Sequence, residues 1–264
     1  MSALAGTVAK FQARDVVRSR WLAAYVAFFW LVTEGLLRFA GGDARAILSL
    51  SSIVLYLVPL VTLVFGTVYL YNAREFTELL LAQPVNRRSL FIGLYAGLTG
   101  PLSLGIVAGV GIPFALRGLG GDAQPAMLAA LLASAVALTL IFTGVAFCIA
   151  LSSADRLRGL GTAVGVWMLC AIVYDGLVMA AVAAFSDYPL ERPMLALTLA
   201  NPIDLARVAL LLQLDVSALM GYTGAVFQQF LGGAIGSLVA AGALMVWIVA
   251  PAWLGLRAFT AKDF

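Results

Sequence analysis

The sequence predicts an all-α integral membrane protein with six transmembrane helices, an N-terminal amphipathic helix and short helices between spans five and six. Of 264 residues, 63% are hydrophobic and 11% are charged, with a mean hydropathy of +1.03, whereas soluble domains carry about 25% charged residues. Six apolar stretches reach the roughly 20 residues that a helix needs to cross a bilayer. They are 21–40, 47–71, 90–116, 125–151, 161–185 and 232–255. Continuous apolar runs of this length exclude the alternating pattern of a β-barrel, and they predict a single membrane domain over residues 1–264.

Positive charge is distributed unevenly between the predicted loops. With the N-terminus inside, eleven of the 16 Lys and Arg residues fall on the cytoplasmic side, and the other five are Arg38, Arg45, Arg117, Arg192 and Arg207. Short cytoplasmic loops of membrane proteins are enriched in Lys and Arg. Both termini are therefore predicted to be cytoplasmic, and the basic pI needs no nucleic acid partner to explain it.

Several kinds of chemistry are excluded by the residues that the chain lacks. It has no histidine, which excludes His-ligated metals and His-dependent nucleophilic catalysis. Its two lysines follow Ala9 and Ala261, so the chain holds no phosphate-binding GxxxxGK loop. Cys148 and Cys170 lie inside predicted spans without a CxxC motif. We therefore expect no catalytic residue, metal site or cofactor in this chain.

Two acidic residues lie within the predicted spans, where each costs about 2.5–3.5 kcal/mol to insert at mid-bilayer. Glu34 is four residues before Arg38, which favours an intrahelical ion pair. Asp175 lies midway along span five. It could serve a transport path or proton relay, or make a buried hydrogen bond to Tyr174, to a neighbouring helix or to its symmetry mate.

Two cytoplasmic segments have helical amphipathic patterns. In residues 2–20, Lys10, Arg14 and Arg18 form a basic stripe, which predicts a helix lying on the inner membrane surface. In residues 72–88, an apolar face is formed by Phe76, Leu79 and Leu80, with Pro84 ending the helix. This face could pack on the protein's own inner surface or dock into a partner subunit.

The longest predicted loop, residues 186–231, lies on the outer side. Asn201 and Pro202 are typical of a helix start, and the apolar stretch to Leu214 is too short to cross the bilayer. It predicts a short re-entrant or surface helix. Asp204 and Arg207, spaced i and i+3, are expected to form a local ion pair.

Glycines spaced four apart occur within the spans and predict close helix packing. The pairs are Gly93 and Gly97, Gly105 and Gly109, Gly161 and Gly165, and Gly232 and Gly236.

Taken together, the six spans, the basic helix before span one and the cytoplasmic helix containing Glu78 to Val85 resemble the permease subunits of ABC type-2 exporters. Within that family the chain is most similar to permeases of nitrous oxide reductase maturation systems, the NosY type. Two motifs carry this closer resemblance, Gly165-Val166-Trp167 leading to Asp175, and Asn201-Pro202-x-Asp204-x-x-Arg207. The chain departs from the usual family pattern at Arg74 to Thr77, where an acid followed by Gly-Thr is expected.

The resemblance implies a homodimer in the bacterial inner membrane that supports assembly of a copper enzyme, with residues 1–20 as an elbow helix. It implies that residues 72–88 are a coupling helix that inserts into a separate cytoplasmic ABC ATPase, which would bind ATP and Mg²⁺. The implied coupling residues are Glu75, Phe76, Glu78, Leu79, Leu80, Pro84 and Arg87. A periplasmic accessory protein would dock near Asn201, Pro202, Asp204 and Arg207, unless these residues form a structural motif.

Two alternatives remain open at this point. The chain could belong to an ABC exporter of a lipid, drug or ion with no connection to copper. It could also be a self-sufficient secondary transporter that uses Asp175 as its ion or proton site.

Overall fold

The computed structural model describes residues 2–81, 85–117, 125–185, 191–213 and 234–262, and this part of the chain is helical without β-strands. The helices are α1 (Ser2–Arg18), α2 (Arg20–Phe39), α3 (Asp43–Asn72), α4 (Arg74–Leu81), α5 (Arg87–Arg117), α6 (Pro125–Ser152), α7 (Arg156–Met168), α8 (Tyr174–Ala184), α9 (Glu191–Ala200), α10 (Pro202–Gln213) and α11 (Ala234–Ala261). A π-helical turn, Leu169–Val173, joins α7 to α8.

Six spans within the described residues are long and apolar enough to cross a membrane, which confirms the predicted fold class. They are α2, α3, α5, α6, the combined α7–α8 unit and α11. Most observed spans extend a few residues past the apolar runs. Span five, for example, begins at Arg156 because the Asp155 side chain caps the helix by accepting from the Leu157 amide at 2.9 Å.

The core of the bundle lies among α3, α5 and α6, with α2 packed against α5. Its largest fully buried side chains include Phe29, Phe142, Phe147, Leu98 and Leu102. Span five is very different, since only 6% of its most apolar 18-residue stretch is buried inside the protein. One side of the bundle is therefore left without protein neighbours.

Helix α1 packs along the first half of α5, where two glycines allow a close approach. A Cβ at Gly93 would lie 2.8 Å from the Val8 Cβ, and one at Gly97 would lie 3.0 Å from the Ala9 carbonyl oxygen. The buried face of α1 contains Gln12 and Val16. The predicted amphipathic helix thus exists, and it is held against a span as well as presenting basic residues outwards.

The second glycine pair brings α2 against α5. A Cβ at Gly109 would meet the Phe29 Cβ at 2.9 Å and the Val26 carbonyl oxygen at 3.1 Å. The third pair makes no close contact. A Cβ at Gly161 or at Gly165 would have no atom of a neighbouring element within 4 Å. Gly232, from the fourth pair, lies outside the described residues.

We predict that Gly109→Ala lowers the thermal stability of the purified protein, because the added methyl group meets backbone that cannot move cheaply. Overpacking of this kind costs about 1–3 kcal/mol. Gly111 is the matched control on the same helix, since a Cβ there would meet only the Leu132 Cδ1 at 3.8 Å, an ordinary contact. Gly111→Ala should be neutral or slightly stabilising. Equal melting temperatures for the two variants in detergent would contradict the close α2–α5 contact.

Candidate functional site

The candidate site is built around the π-helical turn at the centre of span five. A π-helical turn replaces i→i+4 hydrogen bonds by i→i+5 bonds and is frequent at functional sites. Here the Cys170 carbonyl oxygen accepts a hydrogen bond from the Asn201 side-chain amide at 2.8 Å. Asp175 follows the turn by two residues. The turn therefore joins span five to the segment between spans five and six.

That segment is a helical hairpin formed by α9 and α10. Asn201, at its tip, is only 1% exposed, and its side-chain oxygen accepts from the Ile203 backbone amide at 3.0 Å. This is the N-cap interaction that the Asn201-Pro202 pair predicts. One side chain thus starts α10 and fastens the hairpin tip to span five.

The hairpin enters the bundle and does not lie on its surface. Trp247, near the middle of α11, donates to the Leu199 carbonyl oxygen at 2.9 Å. Tyr174 of span five donates to the Leu197 carbonyl oxygen at 2.6 Å. Ile203, Leu205, Ala206 and Leu210 of α10 are completely or almost completely buried. Of the two predicted arrangements, the structure shows the re-entrant one.

Arg207 of α10 lies at the centre of a charged cluster formed by Tyr56, Asp175, Asp204 and Arg207, which we call the Arg207 cluster. Its guanidinium lies 3.1 Å from Asp204 Oδ1 and 3.4 Å from Asp175 Oδ2. It also donates to the Tyr56 hydroxyl at 2.7 Å, and this hydroxyl donates to Asp175 Oδ2 at 3.3 Å. The predicted Asp204–Arg207 pair is confirmed, and Asp175 has two partners on neighbouring helices.

The formal charge of the Arg207 cluster is −1, from two carboxylates and one guanidinium. The side chains remain partly exposed, by 37% for Asp175, 31% for Arg207 and 15% for Asp204. Asp175 and Tyr56 both lie near the middle of their spans. Charges at this depth face protein or a water-filled space and not acyl chains. A further surface, or water, must therefore cover this side of the cluster in the membrane.

The sequence leaves two interpretations of the Asn201–Arg207 motif, a docking site for an accessory protein and a structural motif. Asn201 and Ile203 are 1% and 0% exposed, because the hairpin carries these residues into the bundle. For Asn201, Pro202, Asp204 and Arg207 the internal contacts favour the structural interpretation. Docking of an accessory protein at this motif stays a prediction.

Glu34 forms a separate network at the opposite end of the bundle from α4. It pairs with Arg38 at 2.7 Å, as the i, i+4 spacing predicts, and with Arg117 of α5 at 3.5 Å. Arg117 also donates to the Leu37 carbonyl oxygen at 2.7 Å. This network fastens the end of α2 to the end of α5, which is a structural role.

The cysteines do not come together. Cys148 donates to the Pro251 carbonyl oxygen at 3.5 Å, and Cys170 lies in the π-helical turn. Over the described ranges, no three Cys, Asp or Glu residues are grouped so that they could hold a metal ion.

Helix α4 presents a divided surface at the end of the bundle that carries α1. The Phe76 ring stacks on Phe11 of α1 with centroids 5.6 Å apart, and Leu80 packs against the core. Leu79 is 70% exposed, and Glu75 is also exposed. Only part of the predicted apolar face is therefore free for a partner.

The remaining residues of the predicted coupling segment have internal contacts or fall outside the structure. Glu78 pairs with Arg74 at 2.9 Å. Arg87 donates to the carbonyl oxygens of Thr260 and Lys262 at 3.1 and 2.8 Å, so it fastens the C-terminal end of α11. Pro84 lies outside the described residues.

Tyr56 is the cluster residue that the sequence patterns missed. Trp167 supports it, because the indole donates to the Tyr56 carbonyl oxygen at 2.9 Å. Its position in the sequence could have indicated it, since Tyr56 and Asp175 each lie near the centre of an apolar span and therefore at a similar depth in the membrane. Depth alone does not show which spans are neighbours.

Comparison with known proteins places the whole architecture in one family. The family model described as "ABC-2 family transporter protein" matches residues 7–264, so the chain belongs to this family of ABC transporter permeases. Among its curated relatives is the "Probable ABC transporter permease protein NosY" of Pseudomonas aeruginosa, 26% identical, with 81% of this chain and 84% of that protein aligned. The protein of the same description from Stutzerimonas stutzeri is 27% identical, with 94% and 93% aligned.

We predict that Arg207→Gln destabilises the protein more than Asp175→Asn, because it leaves two carboxylates without their counter-ion. Breaking a fully buried pair costs about 3–5 kcal/mol, and the partial exposure of Arg207 reduces this figure. The formal charge of the cluster becomes −2 in Arg207→Gln, 0 in Asp175→Asn and −1 in the double variant. The double variant should therefore melt at a higher temperature than Arg207→Gln alone. If adding Asp175→Asn gives no recovery, the two residues are not electrostatically coupled.

Proposed function

We propose that this chain is the membrane subunit of an ABC transporter that supports maturation of a copper enzyme of the nitrous oxide reductase type. The observation that carries this proposal is the near full-length similarity to two proteins described as NosY permeases.

In this proposal ATP is hydrolysed by a separate cytoplasmic subunit that binds ATP and Mg²⁺. The chain has no phosphate-binding loop of its own. Leu79, with Glu75 beside it on the same helix, provides an exposed apolar contact point at the end of the bundle that carries both termini. Displacement of α4 by the ATPase would reach α1 through the Phe11–Phe76 stack and α3 through the short connection at Ala73.

We propose that two copies associate through span five. This span is the least buried of the six. A Cβ at Gly161, Gly165 or Gly176 would meet no neighbouring element within 4 Å, so these glycines leave room for a second helix to approach closely. The partly exposed Arg207 cluster borders the same span and requires cover at mid-membrane. A second copy would supply that cover. An accessory protein outside the membrane would contact outer residues other than the buried Asn201–Arg207 motif.

We predict that Leu79→Glu prevents recovery of the ATPase subunit with this chain. The substitution places a charge at an exposed apolar position of α4, where the proposed contact with the ATPase lies. Loss of a central interface contact lowers binding by at least about tenfold. Native mass spectrometry of the wild-type complex should give two copies of each subunit.

The matched control is Val17→Glu. Val17 is 60% exposed and lies near the end of α1, on the same side of the membrane as α4 but outside that helix and outside span five. It should leave ATPase recovery unchanged. Equal loss in both variants, or purification of an active transporter without any ATPase, would refute the coupling role of α4.

We predict that deleting the gene in its host leaves nitrous oxide reductase depleted of copper. The measurement is metal analysis of the purified enzyme, and re-expression of the chain should restore its copper. A host that makes no such enzyme, or unchanged copper content after deletion, would favour an ABC exporter of a lipid, drug or ion. Transport that follows a proton gradient without ATP and is lost in Asp175→Asn would instead establish a secondary transporter.

A further inference from the structure

A cleft of about 760 Å³ opens between the end of α1, the first turns of α2 and the adjoining half of α3. We call it the elbow cleft. Its deep part is apolar, with Leu60, Val61, Val64 and Phe65 from α3 and Leu102 from α5. Its rim carries Asp15, Arg18, Asn72 and Arg156. A cavity of this size is within the range of small-molecule sites.

The long axis of the elbow cleft runs from the membrane surface towards its centre. Along α3, Leu60 is twelve residues before Asn72, and this separation corresponds to about 18 Å of helix. Half the hydrocarbon core of a bilayer measures about 15 Å. The apolar part of the cleft therefore has the depth of one acyl chain.

The rim of the elbow cleft has an excess of positive charge. Arg156 donates to the neutral Asn72 side chain at 3.2 Å. Within the described residues, no carboxylate lies within 4.0 Å of the guanidinium of Arg18 or of Arg156. Asp15 contacts the Tyr69 hydroxyl at 3.3 Å. Two guanidinium groups and one carboxylate give the rim a formal charge of +1, which complements an anion.

Tyr25 also lines the elbow cleft and is only 6% exposed. Its hydroxyl is buried and has no hydrogen-bond partner among the described residues, which is costly. A turn of this side chain into the cleft would bring the hydroxyl to an acceptor on a bound ligand. Tyr25 follows Arg20, at the start of α2, by five residues, so it lies about 7.5 Å deeper along the helix. This is the level at which ester groups of a phospholipid lie when its phosphate is at the rim.

We propose that the elbow cleft binds one anionic phospholipid from the leaflet that contacts α1. The phosphate lies between Arg18 and Arg156, and an acyl chain fills the apolar part beside Val64. The Tyr25 side chain turns into the cleft, and its hydroxyl donates to an ester oxygen of the lipid. This site does not depend on the proposed role in copper-enzyme maturation or on the ATPase. It gives the elbow helix a lipid-dependent contact with spans one and two.

The test is lipid retention by the full-length protein, purified in mild detergent and exchanged into nanodiscs of phosphatidylcholine with a minor share of phosphatidylglycerol. Native mass spectrometry after release from the nanodisc then counts the lipids that remain bound. Wild type should keep one phosphatidylglycerol in preference to phosphatidylcholine. Arg18→Gln with Arg156→Gln should lower that retention by about tenfold or more, because the variant loses the charge-assisted hydrogen bonds from these two guanidinium groups to the phosphate.

The matched control is Arg14→Gln with Arg20→Gln, which removes the same charge from exposed positions outside the cleft. It should retain phosphatidylglycerol as wild type does. Tyr25→Phe should lower retention by about fivefold while leaving the lipid-free protein as stable as wild type or more so. Val64→Trp, which fills the cleft without changing charge, should abolish retention of both lipids.

Equal retention by the charge variant and its control, or no preference for phosphatidylglycerol in wild type, would overturn the proposal. So would disulfide-linked dimers of Val64→Cys in a background without Cys148 and Cys170, because a second copy would then occupy the cleft. Melting curves for every variant separate loss of the lipid from loss of the fold.

Discussion

The guanidinium of Arg207 is the interaction on which the centre of this molecule depends. In a bilayer, polar groups must be satisfied inside the protein because no water is available to hydrate them. Arg207 meets this constraint through contacts with Asp175, Asp204 and the Tyr56 hydroxyl. These contacts join α3, span five and the re-entrant hairpin. The hairpin in turn fills the space between α6 and α11, so its position determines how the second half of the bundle packs.

A second set of contacts unites the opposite end of the bundle. Tyr69 of α3 donates its hydroxyl to Gln12 of α1, Phe76 of α4 stacks on Phe11, and Arg87 of α5 holds the last turn of α11. The Lys262 amine donates to the Leu151 carbonyl oxygen at 2.7 Å, and desolvation by burial lowers its pKa. These contacts hold α1 and the ends of α3, α5, α6 and α11 together, and α4 joins this set through its stack on α1.

The spans could be predicted because their signal is local, namely a long run of apolar residues. The Glu34–Arg38 and Asp204–Arg207 pairs were predictable for a similar reason, since helical spacing alone brings them together. The contact of Asp175 with Arg207 was not, because it depends on a hairpin whose depth no local pattern reveals. The π-helical turn has no sequence signature in Leu169 to Val173. The sequence also could not show which residues of the apolar face of α4 are buried, because Phe76 stacks on a residue of another helix, Phe11 of α1.

The order of residues along the chain has a consequence for how this protein is made. Tyr56 and Asp175 both precede Arg207, so translation delivers the spans that carry these two side chains before it delivers the hairpin. An arginine entering the membrane without counter-ions costs several kcal/mol. Here the partners of Arg207, namely Asp175 and the Tyr56 hydroxyl, lie on spans that are synthesised before the hairpin. The Cys170 carbonyl oxygen, which binds Asn201 at the hairpin tip, lies on an earlier span as well. The order of synthesis therefore places the acceptor groups in the membrane before the cation that they bind.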